Sequence, residues 1–456
     1  MAEARIETLV ILGAGGDLTS RLLLPGLASL LASSRGEYIR LIGVDHGSMT
    51  DVRWHSLVGE AFDNFPSDLG KRVARDSFYL RADATNADDL AEVLAASTGR
   101  IAIYFALPPA ITEKACTTLS HMQLPPGIVL ALEKPFGEDA RSAKSLNRLL
   151  QTMVPEERVF RVDHYLGKST ILNLIGLRFA NRIFEPLLSA ENVARIEIIV
   201  EESIGLEGRA GYYDHAGALT DMIQSHLLLV LALATMEAPS SVGSEDLRGA
   251  MAQVLRATRA WKRDGTASRR ARYNAGNVGR RKLPAYTAEP GVVASRRTET
   301  LAEMTVAIDT WRWAGVPIVL RTGKAIGQPR QEILFTFREV PHLPTGFTGP
   351  ASRAQLRIGV NPAILDIDLV TNGRDDPFNL ENDVLHAEFG PSELSAYGEV
   401  LAELLEGDPT LSVRGDIAEE CWRIVSPVLA AWRANKVRLD TYPAGTRGPA
   451  SWKGPE

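Results

Sequence analysis

The stretch "TLVILGAGGDL", Thr8–Leu18, passes without a break from an apolar run into a glycine cluster and then an aspartate. An uninterrupted apolar run that closes on glycine is the pattern of a parallel strand covered on both faces. A helix is expected over the following "DLTSRLLLPGLASLLA". The turn that holds Gly13, Gly15, Gly16, Asp17 and Leu18 then stands where a dinucleotide fingerprint stands. Glycines let the backbone approach a pyrophosphate, and the N–H groups of the helix start attract its charge.

Downstream the same alternation repeats. "IRLIGVD", "SFYLRAD", "IAIYFALPP" and "GIVLALEKPFG" read as further strands, with helical segments such as "DDLAEVLAAS" and "AITEKACTTLSHM" between several of them. Strands alternating with helices predict a right-handed, doubly wound parallel sheet, a Rossmann domain over residues 1–175. After Arg178 the pattern changes to longer strand-like runs, several without intervening helices, among them "VARIEIIVEES", "VPIVLRTGK" and "QEILFTFREV". Strong helices interrupt them at "GALTDMIQSHLLLVLALATM" and near the end. The second part, 176–456, is therefore expected to be α+β, with a large, mainly antiparallel sheet.

Composition bounds the function. With 456 residues, 45% apolar and 23% charged, the chain has the make-up of a folded globular protein of about two domains. A formal charge of -6 argues against a nucleic-acid coat, which needs a dense positive surface. Cys116 and Cys421 are the only cysteines and stand far apart, so neither a disulfide framework nor a zinc site is expected. The N-terminus lacks the pattern of a signal peptide, and no run of about 20 apolar residues occurs, so a cytoplasmic protein without a membrane span is expected. The Arg- and Lys-rich stretch from Arg256 to Lys282 reads as a solvated loop or subunit surface.

The end of the second strand selects the cofactor in such folds, because an acidic residue there bonds a ribose 2'-hydroxyl while an arginine favours a 2'-phosphate. Here it reads "GVDHG", with Asp45 followed by His46. These two residues by themselves lean towards NAD.

"RVDHYLGK", Arg161–Lys168, concentrates a carboxylate, an imidazole, a phenol and an ammonium. If "DHYLGK" begins a helix, His164 and Lys168 share one face and converge on an anion such as phosphate. Asp163 then points elsewhere and would orient a histidine from another segment, fixing its tautomer and stabilising its cation. Asp221 and His226, in "ALTDMIQSHLLLVLAL", open an apolar helix. Five residues apart at roughly 100° each, they are expected about 140° apart round its axis, flanking a substrate. Lys134, after the fifth strand, sits at the edge where open α/β sheets bind ligands, and Lys324 ends the strand "VPIVLRTGK".

Taken together these motifs resemble one family, the glucose-6-phosphate dehydrogenases. The likeness runs through "GAGGDL", "YFALPP", "EKPFG", "RVDHYLGK", "GRAGYYDHAGALTDM", "QSHLL", "IDTWRWAGVPIVLRTGK", "EGDPTLSVRGD" and "YPAGTRGPASW". It implies oxidation of glucose 6-phosphate at C1 to 6-phosphogluconolactone, the first step of the pentose phosphate pathway, usually with NADP. It also implies a second domain that dimerises; dimer and tetramer both remain open. By motif, His226 resembles the general base and Asp163 its orienting partner. His164, Tyr165 and Lys168 resemble the phosphate site, Glu202, Asp221 and Lys324 the sugar contacts, and Lys134 a residue near sugar and nicotinamide. No metal is implied. The chain departs from the family's pattern at Gly15, His46, Thr220, Ser225 and Pro329, which bears on cofactor choice and substrate affinity. Two competing readings are a sugar oxidoreductase of the glucose-fructose oxidoreductase type, which also carries an "EKP" segment, and a non-catalytic paralogue that binds sugar phosphate and regulates an active partner.

Overall fold

Buried on every residue, Thr8–Leu12 becomes β1, an inner strand of a six-stranded parallel sheet. In the computed structural model residues 5–390 and 392–452 are described. The other strands of this sheet are β2 (Arg40–Asp45), β3 (Phe78–Arg81), β4 (Ile101–Phe105), β5 (Val129–Glu133) and β6 (Val159–Val162), in the order β3-β2-β1-β4-β5-β6. The order reverses between β1 and β4, which opens the crevice at their carboxyl ends that such sheets use for ligands. All neighbours pair in parallel. β6 goes beyond the expected five strands: it is the "VFRV" that delivers Asp163 to the carboxyl edge.

The mainly antiparallel sheet is present as well, with ten strands. They are β7 (Val193–Glu201), β8 (Thr258–Ala260), β9 (Ser268–Asn274), β12 (Leu301–Ile308), β13 (Ile318–Gly323), β14 (Gln331–Phe337), β15 (Gln355–Gly359), β16 (Ile364–Asn372), β17 (Leu380–Glu388) and β18 (Leu439–Pro443), while β10 (Gly276–Val278) and β11 (Arg281–Leu283) form a separate hairpin. β7 pairs with β13, and β9 with β18, in parallel, and the remaining neighbours run antiparallel. β13 carries Lys324 just past its end, and β7 carries Glu202 just past its own, so their parallel register brings the two positions side by side.

Two compact units result, and they do not follow a single cut of the chain. The first comprises residues 1–172, 238–252 and 391–420, and the second 173–237, 253–390 and 421–456. In the first unit the helix Ala396–Glu406 lies on the helix Leu24–Ala32, and Leu394, Tyr397, Val400, Leu401, Leu404 and Leu405 enter the core around β1. Gly26 permits the approach, since a Cβ there would lie 2.8 Å from that of Tyr397.

The longest apolar helix of the second unit, Ala210–Thr235, is long and apolar enough by length and composition to cross a membrane, but 83% of its apolar window is buried within the protein. Asp221, Gln224, Ser225 and His226 interrupt it, so it is not an unbroken apolar run, and its burial is that of a core helix. Gly217, with φ of 70°, breaks it just before the segment that carries Asp221 and His226.

Candidate active site

The glycine turn is shaped by backbone contacts. Gly13 and Ala14 donate to the Val44 carbonyl, Gly16 donates to the Gly13 carbonyl, and the Thr19 hydroxyl closes the turn on the same oxygen at 2.9 Å. Gly13 has φ of 91°, and a Cβ there would stand 2.3 Å from the Ala106 carbonyl oxygen at the end of β4. Only glycine fits. Gly15 and Asp17 are exposed, whereas Leu18 packs on the core. The cradle therefore suits a dinucleotide pyrophosphate: its glycines carry no side chains of their own where the backbone must come close, and a helix starts directly behind it.

Asp45 reaches into this turn. Its Oδ2 accepts the Gly15 N–H at 3.0 Å, and its Oδ1 accepts the Gly47 N–H at 3.2 Å. His46 turns its Nδ1 towards the same Oδ1 at 3.0 Å, with a side chain 83% exposed. Arg81, paired with Asp45 in register across β3, lies with its Nε 3.4 Å from the His46 carbonyl oxygen.

"DHYLG" is a turn, contrary to the expected helix. Leu166, Gly167 and Lys168 donate to the carbonyls of Asp163, His164 and Tyr165, and the helix begins only at Ser169. The cause is local: the Asp163 Oδ1 takes the Tyr165 N–H at 3.0 Å, a side-chain cap that competes with helix. His164, Tyr165 and Lys168 still come together, through aromatic contacts. Lys168 Nζ sits 3.9 Å above the Tyr165 ring, and His164 meets the edge of that ring with centroids 5.2 Å apart. On its other side His164 stacks on Tyr397, at 5.5 Å and 14°.

Tyr397 was not legible as a site residue, since it stands more than two hundred positions away on the helix Ala396–Glu406. Gly167 admits that helix, because a Cβ there would lie 2.3 Å from the Ala396 carbonyl oxygen. Tyr397 also bonds Glu133, as does the Tyr104 hydroxyl. Burial pushes the Glu133 carboxyl up to about 7, against the pull of both phenols and of Lys134. Polar groups near the ends of the buried strands β4 and β5, Tyr104 and Glu133, are the signal for this pair. The whole turn is braced by Arg161, fully buried, which bonds Glu156 at 2.7 Å and Asn147 at 3.0 Å. Glu156 in turn receives the Gly415 N–H of "LSVRGD".

In the second unit Lys324 and Glu202 form an ion pair, and the lysine lies 5.2 Å from the Tyr213 ring centroid. Asp221 and His226 are buried, 8% and 1% exposed. Leu219–Leu227, which carries both, is wound with i→i+5 hydrogen bonds. This wider winding takes more residues per turn than an α-helix, so positions 221 and 226 lie closer round the axis than the expected 140°. The Tyr212 hydroxyl reaches the Asp221 Oδ1 at 3.4 Å. Arg330, next to Pro329, is turned to the sheet, 3.5 Å from Glu332 and 3.7 Å from Glu201.

Comparison with known proteins agrees at full length. Residues 10–173 match the glucose-6-phosphate dehydrogenase NAD-binding domain, and 175–454 match the C-terminal domain of the same family. This chain belongs to the glucose-6-phosphate dehydrogenase family. Among curated members it is 37% identical to glucose-6-phosphate 1-dehydrogenase of Gluconobacter oxydans, across 96% of this chain and 94% of that one. The enzyme of Rhizobium meliloti is 35% identical over 97% and 94% of the two chains. A family structure from Mycobacterium avium superposes with a TM-score of 0.86 at 32% identity, covering 98% and 96%. Another, glucose-6-phosphate dehydrogenase in complex with its substrate glucose 6-phosphate, gives 0.86 at 26%, covering 99% and 97%. A levoglucosan dehydrogenase, at 10% identity and a TM-score of 0.52, shares the fold alone.

Proposed function

We propose that this chain oxidises D-glucose 6-phosphate at C1 to 6-phospho-D-glucono-1,5-lactone, with a nicotinamide dinucleotide held over the glycine turn. The observation that carries the reading is the cluster of His164, Tyr165 and Lys168 at the carboxyl edge of the parallel sheet, in a chain that matches the family end to end. Imidazole, phenol and ammonium together suit a phosphate dianion, and placing them on a tight turn fixes where the phosphate sits, so that the sugar's own bonds set how far from it C1 can lie.

Gly13, Gly15, Gly16, Asp17 and Leu18 would hold the pyrophosphate and adjoining ribose, and Lys134 would stand near the nicotinamide. A nicotinamide bound there would supply the acceptor for the C1 hydride. His226 takes the proton of the C1 hydroxyl, and Asp163 holds that imidazole in the right tautomer and stabilises its cation. A hemiacetal hydroxyl is more acidic than an ordinary alcohol, so a neutral imidazole suffices, a contribution of about 10²- to 10⁴-fold. Glu202, Lys324 and Asp221 orient the ring hydroxyls.

For the cofactor, the family resemblance favours NADP and the turn favours NAD. Asp45, anchored on Gly15 and Gly47, presents a carboxylate where a 2'-phosphate would sit. Arg81 is the cation beside it. We infer that NAD competes well with NADP. Absorbance at 340 nm with glucose 6-phosphate and each nucleotide tests both statements. No reduction of either refutes the activity, and an NADP preference above about a hundredfold refutes the inference about NAD. Equal turnover of unphosphorylated glucose would instead favour the glucose-fructose oxidoreductase type.

The division of labour follows the family: a dinucleotide-binding part to about residue 175 and a substrate-binding, dimerising part beyond it, in a cytoplasmic enzyme. Support for a homodimer or homotetramer comes from β16 and β17. Val384 and Leu385, adjacent and so on opposite faces, are 50% and 59% exposed, leaving the hairpin uncovered on both sides. Light scattering of the purified protein tests this, and a monomer at assay concentration would exclude it.

A further inference from the structure

We infer that Glu299 is a positioning residue: its buried carboxylate fixes the start of the helix that carries Asp221 and His226. Glu299 is 7% exposed and belongs to the short segment Thr298, Glu299, Thr300 that leads into β12. Its Oε1 accepts the Leu219 N–H at 3.0 Å, and its main-chain carbonyl accepts the Ala218 N–H at 3.2 Å. Two of the N–H groups that a helix start leaves without partners are thereby bound by one residue from a distant segment. The contact needs Gly217, for a Cβ at that position would lie 2.4 Å from the same Oε1. An anion at a helix start is also favoured by the helix dipole. Burial works the other way and raises the carboxyl to about 7, offset by the backbone donors and by Arg270.

The neighbours of Glu299 tie the same segment to the other sugar contact. The Thr300 carbonyl accepts the Lys324 N–H at 2.9 Å. The Thr300 hydroxyl meets the Tyr442 hydroxyl at 3.0 Å, and Tyr442 donates to the Lys324 carbonyl at 2.6 Å. Thr298 closes on the Asp214 carbonyl at 2.6 Å. Three consecutive residues therefore set both the helix start, two positions before Asp221, and the backbone of Lys324. Side-chain charge enters only at Glu299, which makes it the position where the coupling is separable from packing.

The inference rests on the proposed roles of Asp221 and His226. Its test compares Glu299→Gln, which keeps volume and one acceptor but no charge, with Gly217→Ala, which pushes on the same oxygen from the helix side. Both are expected to lower kcat/KM for glucose 6-phosphate about tenfold while the KM for the nucleotide stays within about twofold. Glucose 6-phosphate kinetics like the unaltered protein's in Glu299→Gln would overturn the inference, as would equal losses for sugar and nucleotide accompanied by a lower Tm. If neither variant folds, Thr300→Ser with Tyr442→Phe reads the Lys324 side of the segment. The same split between sugar and nucleotide is then required, and its absence counts against the inference. His226→Asn is the control: retained turnover there sinks the role of the helix itself, whereas lost turnover with an unaffected Glu299→Gln sinks only the inference about Glu299.

Discussion

The glycine turn and the Asp221–His226 helix solve the same problem, holding polar groups still at the end of an apolar element, by opposite means. At the turn the backbone does the work, and side chains are excluded by contacts as close as 2.3 Å. On the helix the side chains do the work, and the backbone is adjusted beneath them: broken at Gly217, capped by Glu299 and wound in i→i+5 fashion. A backbone site tolerates almost no added atom, whereas a side-chain site tolerates atoms but not a changed proton or charge.

That contrast can be broken most sharply at His226. His226→Asn removes the proton acceptor at small cost in shape, and turnover should fall by at least about 100-fold with a modest change in KM for the sugar phosphate. Steady-state kinetics decide it, and unchanged turnover would remove the base from its place. Next comes the turn. Gly13→Ala adds a single methyl against the Ala106 carbonyl at a positive φ, and the dissociation constant for NADH or NADPH should rise more than about tenfold. Fluorescence titration measures this directly; undisturbed nucleotide binding would show that the backbone contact is not limiting.

A smaller effect should separate charge from shape within the turn itself. Asp45→Ala is expected to move the ratio of kcat/KM for NADP over NAD upward by about five- to tenfold, by removing the carboxylate that opposes a 2'-phosphate. A ratio that stays put would transfer the discrimination to Arg81 or elsewhere. The smallest effect concerns stability. Burial holds Glu133, Glu299 and Glu403 at about 7 against an ordinary 4.5. Between those values the folded protein keeps protons that the unfolded chain has released, so stability declines as pH rises through that window. Calorimetric Tm should fall by a few degrees from pH 5 to 7.5, and the fall should be shallower in Glu299→Gln. A Tm that rises over that range would contradict the sign.

Legibility differed between the two regions for a physical reason. Strand-then-glycine order marks Gly13, Gly15 and Gly16 as a turn, and the tight approach of Gly13 to Ala106 agrees with that order, whereas the contact of Asp45 with Gly15 has no such signature. The helix is decided by tertiary partners such as Glu299, and the wider winding of Leu219–Leu227 has no signature in residue spacing; the "DHYLG" turn is local, capped by Asp163, and still reads as helix by spacing alone. Tyr397, Glu133 and Glu299 carry no local signature because each acts across a long separation in sequence. The overall α/β then α+β succession was readable because it depends on periodicity, which burial enforces everywhere at once. The return of residues 238–252 and 391–420 to the first unit was not, since no local pattern records which layer a helix will join.

That return has a consequence for how such a protein can be cut or recombined. The core around β1 is completed by the helix Ala396–Glu406, which is synthesised only after β7 to β17. The nucleotide-binding half is thus no transplantable cassette: a gene ending at codon 175 would leave a greasy scar on its first helix, and fusing or swapping at that junction should yield insoluble chain.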